Sequence, residues 1–366
     1  MSTEKKTIVQ ILRAPIGGIR KHVYDIVGNL DPEEFELVLI TDLSDADLAV
    51  PAVKDLTLIN MPIIDKPTFG DLVNLFRIYR FLYGKKIDVI HGHGAKGGLY
   101  ARIVSHFLRT KCIYTPHGGS LHRVHGKIKN FLYDGIELAL IPFTHLFLFE
   151  SCYSRDVFSG NIIDVGDRAV VNYNGTMPRS HKAQRIYQAG KVLRLASFGL
   201  LRHLKGHDII IEACSLLKQE GIPFSYTIYG KGEEEENLRS LVKSLNLNQE
   251  VTIAEYSENV SAEMLKYDFI LQPSRFESFG YVPIEAMAIR VPVIASNEGG
   301  LKEVVSQESG LIAHSNSVQE YKTILKSVYE GKVDLERMVS LAEESFLNKF
   351  SLKQMMAEVT RLYRSL

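Results

Sequence analysis

Two glutamates, Glu277 and Glu285, lie seven residues apart in the run Pro273-Ser274-Arg275-Phe276-Glu277-Ser278-Phe279-Gly280-Tyr281-Val282-Pro283-Ile284-Glu285-Ala286-Met287-Ala288. The run follows a strand-like segment, Phe269–Gln272, and Pro283 suits the first turn of a helix, where its missing N–H costs nothing. Glu277 is therefore expected in the loop above a sheet and Glu285 in the opening turn of the helix. The amides of Phe279, Gly280, Tyr281 and Val282 are expected along the same ledge. Read singly, Glu285 is an ordinary early-helix glutamate compensating the dipole, and Glu277 a solvated loop carboxylate. The whole string is too specific for both.

A second candidate ligand loop is Arg13-Ala14-Pro15-Ile16-Gly17-Gly18-Ile19. Paired glycines let the backbone approach a ligand closely, with amides at a helix N-terminus aimed at an anion. The plainer reading is a strand-to-helix turn. Gly92-His93-Gly94-Ala95-Lys96-Gly97 has the G-x-G-x-x-G form. A dinucleotide site needs an acidic residue roughly 20 positions further on, and no Asp or Glu occurs between Gly97 and Asp134. NAD(P) binding is not expected, and the motif reads as a turn where a helix packs close to its strand.

His91, His93, His117, His122 and His125 cluster in the chain. Their H-x-H and H-x2-H spacings suit a metal, but no Cys or acid joins the group, as an oriented zinc site would want. No metal is expected. Structural roles are the reading for most of these histidines. The only D-x-D string, Asp45-Ala46-Asp47, lies in a loop after the second strand with no phosphate motif near it.

The elements that must hold these residues alternate. Strand-like runs are Ile8–Leu12, Phe35–Thr41, Leu56–Met61, Asp88–His91, Cys112–Thr115, His145–Phe149 and Ala169–Tyr173 in the first half. The second half has Val192–Phe198, Ser225–Tyr229, Val251–Ala254, Phe269–Gln272, Pro292–Ala295 and Gly310–Ala313. Several are apolar on consecutive residues, the mark of strands buried on both faces. Between them lie helical patterns. Phe69, Leu72, Val73, Phe76 and Tyr79 make one apolar stripe. Arg123, Lys127, Asn130, Asp134 and Glu137 make a polar stripe that suits a surface helix. The alternation predicts parallel sheets with helices on both faces. The polar segment Met177–Lys191 is the expected linker, and Ser351–Leu366 is a helix with no strand left to pair with. Two doubly wound domains in series leave a cleft at the carboxyl ends of their strands, where ligands bind.

Composition sets outer limits. The 366 residues suit two domains. Lys plus Arg and Asp plus Glu both number 43, so a whole-chain basic footprint for nucleic acid is absent. Three scattered cysteines argue against a disulfide framework and fit a reducing cytosol. No signal-peptide core follows Met1, and the longest apolar stretch, Leu138–Phe149, is shorter than the roughly 20 residues of a membrane span. Basic residues near the start of the Leu121–Pro142 segment leave room for contact with an anionic membrane surface.

Glu277-x7-Glu285, followed by Val291-Pro292-Val293-Ile294-Ala295-Ser296 and Gly299-Gly300-Leu301-Lys302-Glu303-Val304-Val305, resembles the retaining glycosyltransferases of family 4. Further matches are Gly17-Gly18, the His91–Arg102 stretch, Thr115-Pro116-His117-Gly118, Asn174-Gly175, Gly199 and Lys205-Gly206. The resemblance implies the α/β GT-B fold, two Rossmann-like doubly wound domains facing across a cleft. Residues 1–180 would bind the acceptor, residues 181–350 a nucleoside-diphosphate sugar, and residues 351–366 would cross back as a helix. It assigns Glu285 to the ribose, Glu277 to the transferred sugar, and the amides after Ser278 to the sugar hydroxyls and diphosphate. Lys205 meets the diphosphate from one side and Gly17 and Gly18 from the other, and His117 lies beside the hydroxymethyl edge of the sugar. A lysine and amides aimed at a departing diphosphate stabilise the transition state more than the ground state. A carboxylate such as Glu277 offsets oxocarbenium charge, and no metal or other cofactor is then required.

The chain departs from the family pattern at three places. Leu200 stands where an arginine usually follows Gly199, which leaves Arg202 or His203 as the second cation. Ser278 replaces a frequent glycine. Arg290 replaces a glycine at the end of the Glu285 helix, which is expected to end without a left-handed cap, or to end later. The expected function is sugar transfer to a glycan or lipid-linked acceptor in surface polysaccharide or lipopolysaccharide synthesis, in the cytoplasm or on the inner face of its membrane. A nucleotide-sugar 2-epimerase of the same fold is the alternative, and a catalytically dead sugar-nucleotide binder a third. The epimerase would want an acid beside His117.

Overall fold

Aliphatic runs too long to alternate must be covered on both sides, and helices supply the cover. The computed structural model describes residues 4–14, 16–44, 49–118, 126–183, 186–257 and 259–366. They form two units, Met1–Asn174 with Lys353–Leu366, and Gly175–Leu352. Each is a Rossmann-like α/β domain around a parallel sheet.

The first unit contains β1 (Lys6–Leu12), β2 (Phe35–Thr41), β3 (Thr57–Asn60), β4 (Val89–His93), β5 (Lys111–Thr115), β6 (Leu146–Phe149) and β7 (Ala169–Val171), in the order β3-β2-β1-β4-β5-β6-β7. Strand order reverses between β1 and β4. The second unit contains β8 (Leu193–Phe198), β9 (Phe224–Tyr229), β10 (Val251–Ala254), β11 (Phe269–Gln272), β12 (Val293–Ser296) and β13 (Leu311–Ala313), in the order β10-β9-β8-β11-β12-β13. Here the reversal lies between β8 and β11. All thirteen strand segments expected from the sequence form, with ends shifted by a residue or two. In each unit the loops after the two strands flanking the reversal are where an open α/β sheet takes ligands.

The glycines of the Gly92–Gly97 motif serve packing. A Cβ on Gly97 would lie 2.2 Å from the carbonyl oxygen of Ile11. One on the adjacent Gly98 would lie 2.1 Å from the Tyr114 ring.

Two helices turn the other way from their sequence pattern. In helix Gly70–Leu82 the apolar stripe faces out, with Phe69, at its cap, 87% exposed and Leu72 62%, while Asn74, Ile78 and Leu82 are buried. Helix Lys127–Leu140 turns its polar stripe inward beyond Lys127, which is exposed, with Asn130 and Asp134 half-buried and Glu137 buried. Glu137 accepts hydrogen bonds from the Arg102 guanidinium at 2.7 Å and the Tyr114 hydroxyl at 3.0 Å, all three side chains being buried. Ile128 and Phe131 are left 79% and 77% exposed. Arg123 of the stripe, with His122 and His125, lies outside the described residues.

The helix carrying Glu285 corrects a further expectation. Arg290 itself takes the left-handed conformation, φ +62°. Its amide bonds to the Met287 carbonyl at 3.1 Å and that of Val291 to the Ala286 carbonyl at 3.0 Å, the double bond of a glycine-type cap. Its guanidinium holds Glu343 at 2.6 Å.

Segment 177–191 lies on the second unit, where Ile186 and Tyr187 pack against the core. The amide of Thr176 bonds to the Phe350 carbonyl, and that of Leu352 to the Thr176 carbonyl. The last helix, Leu352–Ser365, packs on the first unit, and Tyr363 there is 1% exposed. No described helix is long and apolar enough to cross a membrane.

Candidate active site

In the second unit, adjacency of β8 and β11 brings the two loops that follow them together. Lys205 ends a single helical turn, His203–Lys205, after β8. Gly206 follows with φ +68°, and a Cβ there would lie 2.1 Å from the Pro273 carbonyl oxygen. Only glycine lets these backbones touch. The Arg275 amide bonds to the Leu204 carbonyl at 2.8 Å, and its guanidinium grips both oxygens of Asp208 at 2.7 and 2.6 Å. So fastened, the Lys205 ammonium meets Glu277 Oε2 at 2.6 Å. Gln272 and Ser274 donate to the same oxygen at 3.2 and 3.4 Å. Lysine and carboxylate, 72 residues apart, form a mutually neutralising ion pair.

Phe279 beyond Glu277 is buried, Ser278 is half-buried, and Gly280 with φ +110° caps helix Tyr281–Ala288. Tyr281 and Val282 open the helix, and Glu285, half-buried, is its fifth residue. Arg202 points into solvent, with Glu233 at 3.6 Å. Leu200 beside it is partly exposed. His207, buried behind Lys205, has its pKa pushed down to about 4 by burial and by the nearby ammonium.

In the first unit, Gly17 and Gly18 begin helix Gly17–Asn29, Gly17 at φ +56°. His117 follows β5 and Glu150 follows β6, so neighbouring strands bring them together across 33 residues. His117 Nδ1 lies 3.0 Å from Glu150 Oε2, and both side chains are nearly buried. An acid does therefore join the histidines, contrary to the expectation from sequence. His117 sits at φ +52°, a costly backbone for a non-glycine residue and one that concentrates at functional sites.

The hydrogen bonds fix which atoms donate. Asn174 gives its Nδ2 to Glu150 at 3.2 Å, so its Oδ1 accepts from His22 Nδ1 at 2.6 Å. Gln10 gives its Nε2 to the Tyr363 hydroxyl at 2.7 Å, so its Oε1 accepts from His93 Nε2 at 2.7 Å. His93 Nδ1 then accepts from His117 Nε2 at 3.2 Å. The Tyr363 hydroxyl serves His91 Nδ1 at 2.7 Å, and His91 Nε2 donates to Thr115 at 2.9 Å. His117 thus donates from both nitrogens, one of them to a carboxylate. Burial lowers His22 to about 3, with the His117 charge adding to the effect, and holds His91 and His93 well below the usual histidine range. Burial would raise the Glu150 carboxyl, but the bond from His117 and its charge bring it below its ordinary value.

His22, Asn174, Gln10, Glu150 and Tyr363 were not singled out by spacing. Gln10 carries a visible signal, a polar residue inside the aliphatic run Ile8–Leu12, and Asn174 entered only as part of the family match Asn174-Gly175. The D-x-D string Asp45-Ala46-Asp47 lies outside the described residues.

Residues 16–180 match the model described as Glycosyltransferase Family 4, and residues 180–345 that of the Glycosyl transferases group 1. An uncharacterised glycosyltransferase of Methanocaldococcus jannaschii is 26% identical over 96% of this chain and 95% of its own. An amylovoran biosynthesis glycosyltransferase of Erwinia amylovora is 30% identical over 43% of this chain and 41% of its own. A solved structure of HepE from Anabaena, in complex with UDP-glucose, superposes with a TM-score of 0.80 at 19% identity, covering 98% of this chain and 100% of that one.

Proposed function

From a chain that belongs to the GT-B glycosyltransferases of the family 4 and group 1 superfamily, we infer that this protein is a retaining, metal-independent transferase. It moves a sugar from a nucleoside diphosphate to a glycan or lipid-linked acceptor. The observation that carries this reading is the Lys205–Glu277 pair at the carboxyl ends of β8 and β11. When a donor binds, its diphosphate replaces Glu277 as the partner of Lys205. The freed carboxylate then faces the sugar, where positive charge grows as the bond to the leaving group breaks. Both charges are spent where the transition state needs them.

The other roles are those the resemblance implies. Glu285 takes the ribose. The amides from Ser278 through Phe279, Gly280, Tyr281 and Val282 take the sugar hydroxyls and diphosphate, and Arg202 supplies a second cation in place of the arginine missing at Leu200. Gly17 and Gly18 serve the diphosphate, and His117 the hydroxymethyl edge of the sugar. The amylovoran relative supports a place in surface polysaccharide synthesis. The exposed apolar faces of helices Gly70–Leu82 and Lys127–Leu140 support a cytoplasmic protein resting on the membrane that carries a lipid-linked acceptor.

The test is a thermal-shift screen against nucleoside diphosphates and their sugars, since the true donor raises the melting temperature. Turnover follows, with the product's anomeric configuration read by NMR in excess chelator. Inverted product, or turnover lost in chelator and restored by Mg²⁺ or Mn²⁺, overturns the reading. The His117–Glu150 pair is the one feature that favours the 2-epimerase, and deuterium exchange at C2 of the donor sugar without transfer would establish that activity instead.

A further inference from the structure

We propose that His22, His93 and His117 form a binding site for a Zn²⁺ ion in the first unit. One nitrogen from each ring lies within 4.8 Å of those of the other two. His93 Nδ1 and His117 Nε2 are 3.2 Å apart. Three imidazole nitrogens on a tetrahedral Zn²⁺, each at about 2.0–2.1 Å, stand roughly 3.3 Å apart. One edge of the site is therefore already at its bound length. The His22 ring stands further off, its centroid 4.8 Å from that of His117 and 5.5 Å from that of His93.

What sets this trio apart from an ordinary histidine cluster is the other side of each ring. Zinc-binding imidazoles hand their second N–H to a carboxylate or carbonyl oxygen, which fixes ring orientation and tautomer. Here His117 Nδ1 is held by Glu150, His22 Nδ1 by the Asn174 carbonyl oxygen, and His93 Nε2 by that of Gln10. All three outer partners are in place, on the nitrogens that would not bind metal. The inner nitrogen of His22, Nε2, is buried and makes no hydrogen bond. Burying an unpaired polar atom carries a cost that a ligand would relieve. Zn²⁺ binding releases to solvent the proton that His117 Nε2 shares with His93, and the three neutral imidazoles that result, with no thiolate, select Zn²⁺ over Mg²⁺ or Ca²⁺.

The ion would occupy His117 Nε2. Insofar as His117 contacts the donor sugar, a point that rests on the function inferred above, Zn²⁺ would inhibit transfer, and chelator would restore it. Activity in chelator and inhibition by Zn²⁺ are then two sides of one site.

The test is a competition titration of the full chain, freed of metal, with Zn²⁺ against a chromophoric chelator, in the absence of donor. One equivalent should bind and raise the melting temperature. His22→Ala and His93→Ala should each weaken binding at least about 100-fold, and Glu150→Gln about 10–100-fold through its effect on His117. His314→Ala, on the surface, should bind as wild type does. His22→Phe keeps the ring volume should the alanine variant fail to fold, and Co²⁺ added to wild type should give the intense visible bands of a tetrahedral site. Less than one equivalent in wild type, an octahedral Co²⁺ spectrum, or unchanged affinity in a folded His22 variant would overturn the proposal. Binding without inhibition would support the metal site and refute instead the placing of His117 beside the sugar.

Discussion

Lys205 and Glu277 neutralise each other at 2.6 Å, yet the roles inferred for them oppose one another in charge. Lys205 acts on a leaving group whose charge grows toward the transition state, and Leu200 leaves it with no arginine beside Gly199 to share that task. Lys205→Ala is expected to lower kcat by roughly 10²–10³-fold while raising donor KM far less. Glu285 acts on a ribose that does not change during reaction. Glu285→Gln should therefore mainly raise donor KM, by a factor equivalent to about 1–3 kcal/mol. Steady-state kinetics with the donor found in the screen separates the two. A kcat within a few-fold of wild type in Lys205→Ala would mean that the diphosphate is held elsewhere.

At the scale of the element, the end of helix Tyr281–Ala288 shows a backbone requirement overruling a side chain. Arg290 stands at φ +62°, where any Cβ is strained. Arg290→Gly and Arg290→Ala both lose the bond to Glu343, which keeps Lys182 as a partner. Only the glycine variant also loses the strain, so it should be the more stable of the two by about 1 kcal/mol in denaturant unfolding. Equal stabilities would show that the cap tolerates a side chain at no cost. Helix Lys127–Leu140 allows a different test. Its apolar face has no cover among the described residues, and Lys127 and Lys129 stand exposed beside it. Ile128→Ser with Phe131→Ser should abolish sedimentation with vesicles containing anionic lipid while leaving the melting temperature within a degree or two. Undiminished vesicle binding would remove this face from the account of membrane contact.

For the whole molecule, buried neutral histidines link stability to pH. His22, His91 and His93 in the first unit and His207 in the second titrate below the ordinary 6.5 of an imidazole, His22 near 3 and His207 near 4. Unfolding restores the ordinary value, so below pH 6.5 the unfolded chain takes up protons that the folded one refuses. The stabilisation is complete above that value and declines as the pH falls toward the folded values. Each ring contributes a slope of up to about 1.4 kcal/mol per pH unit. Glu150, lowered by His117, adds a loss of the same sign at still lower pH. Urea midpoints should be level from pH 8 to 7 and fall steadily from pH 6.5 to 5. A flat profile across that second range would mean that these rings are protonated in the folded chain.

Strands and the second-unit loop were legible in sequence because their signals are local. Short aliphatic runs bounded by turn residues favour strands covered on both faces. The string from Pro273 to Ala288 carries its own turn, helix start and carboxylates. The direction in which a helix faces was not local. The polar stripe of Lys127–Leu140 turned inward because Arg102 and Tyr114, on other elements, needed Glu137 to complete a buried hydrogen-bonded group. The first-unit site was hidden for the same reason. Gln10, His22, His93, His117, Glu150, Asn174 and Tyr363 span nearly the whole chain, and no spacing rule connects them. Parallel strands arriving side by side, and a last helix laid across the first unit, set them within hydrogen-bond reach. Composition and pattern determined which elements form. Which charges and imidazoles meet depended on contacts between residues tens or hundreds of positions apart, and these exist only once the sheets are assembled.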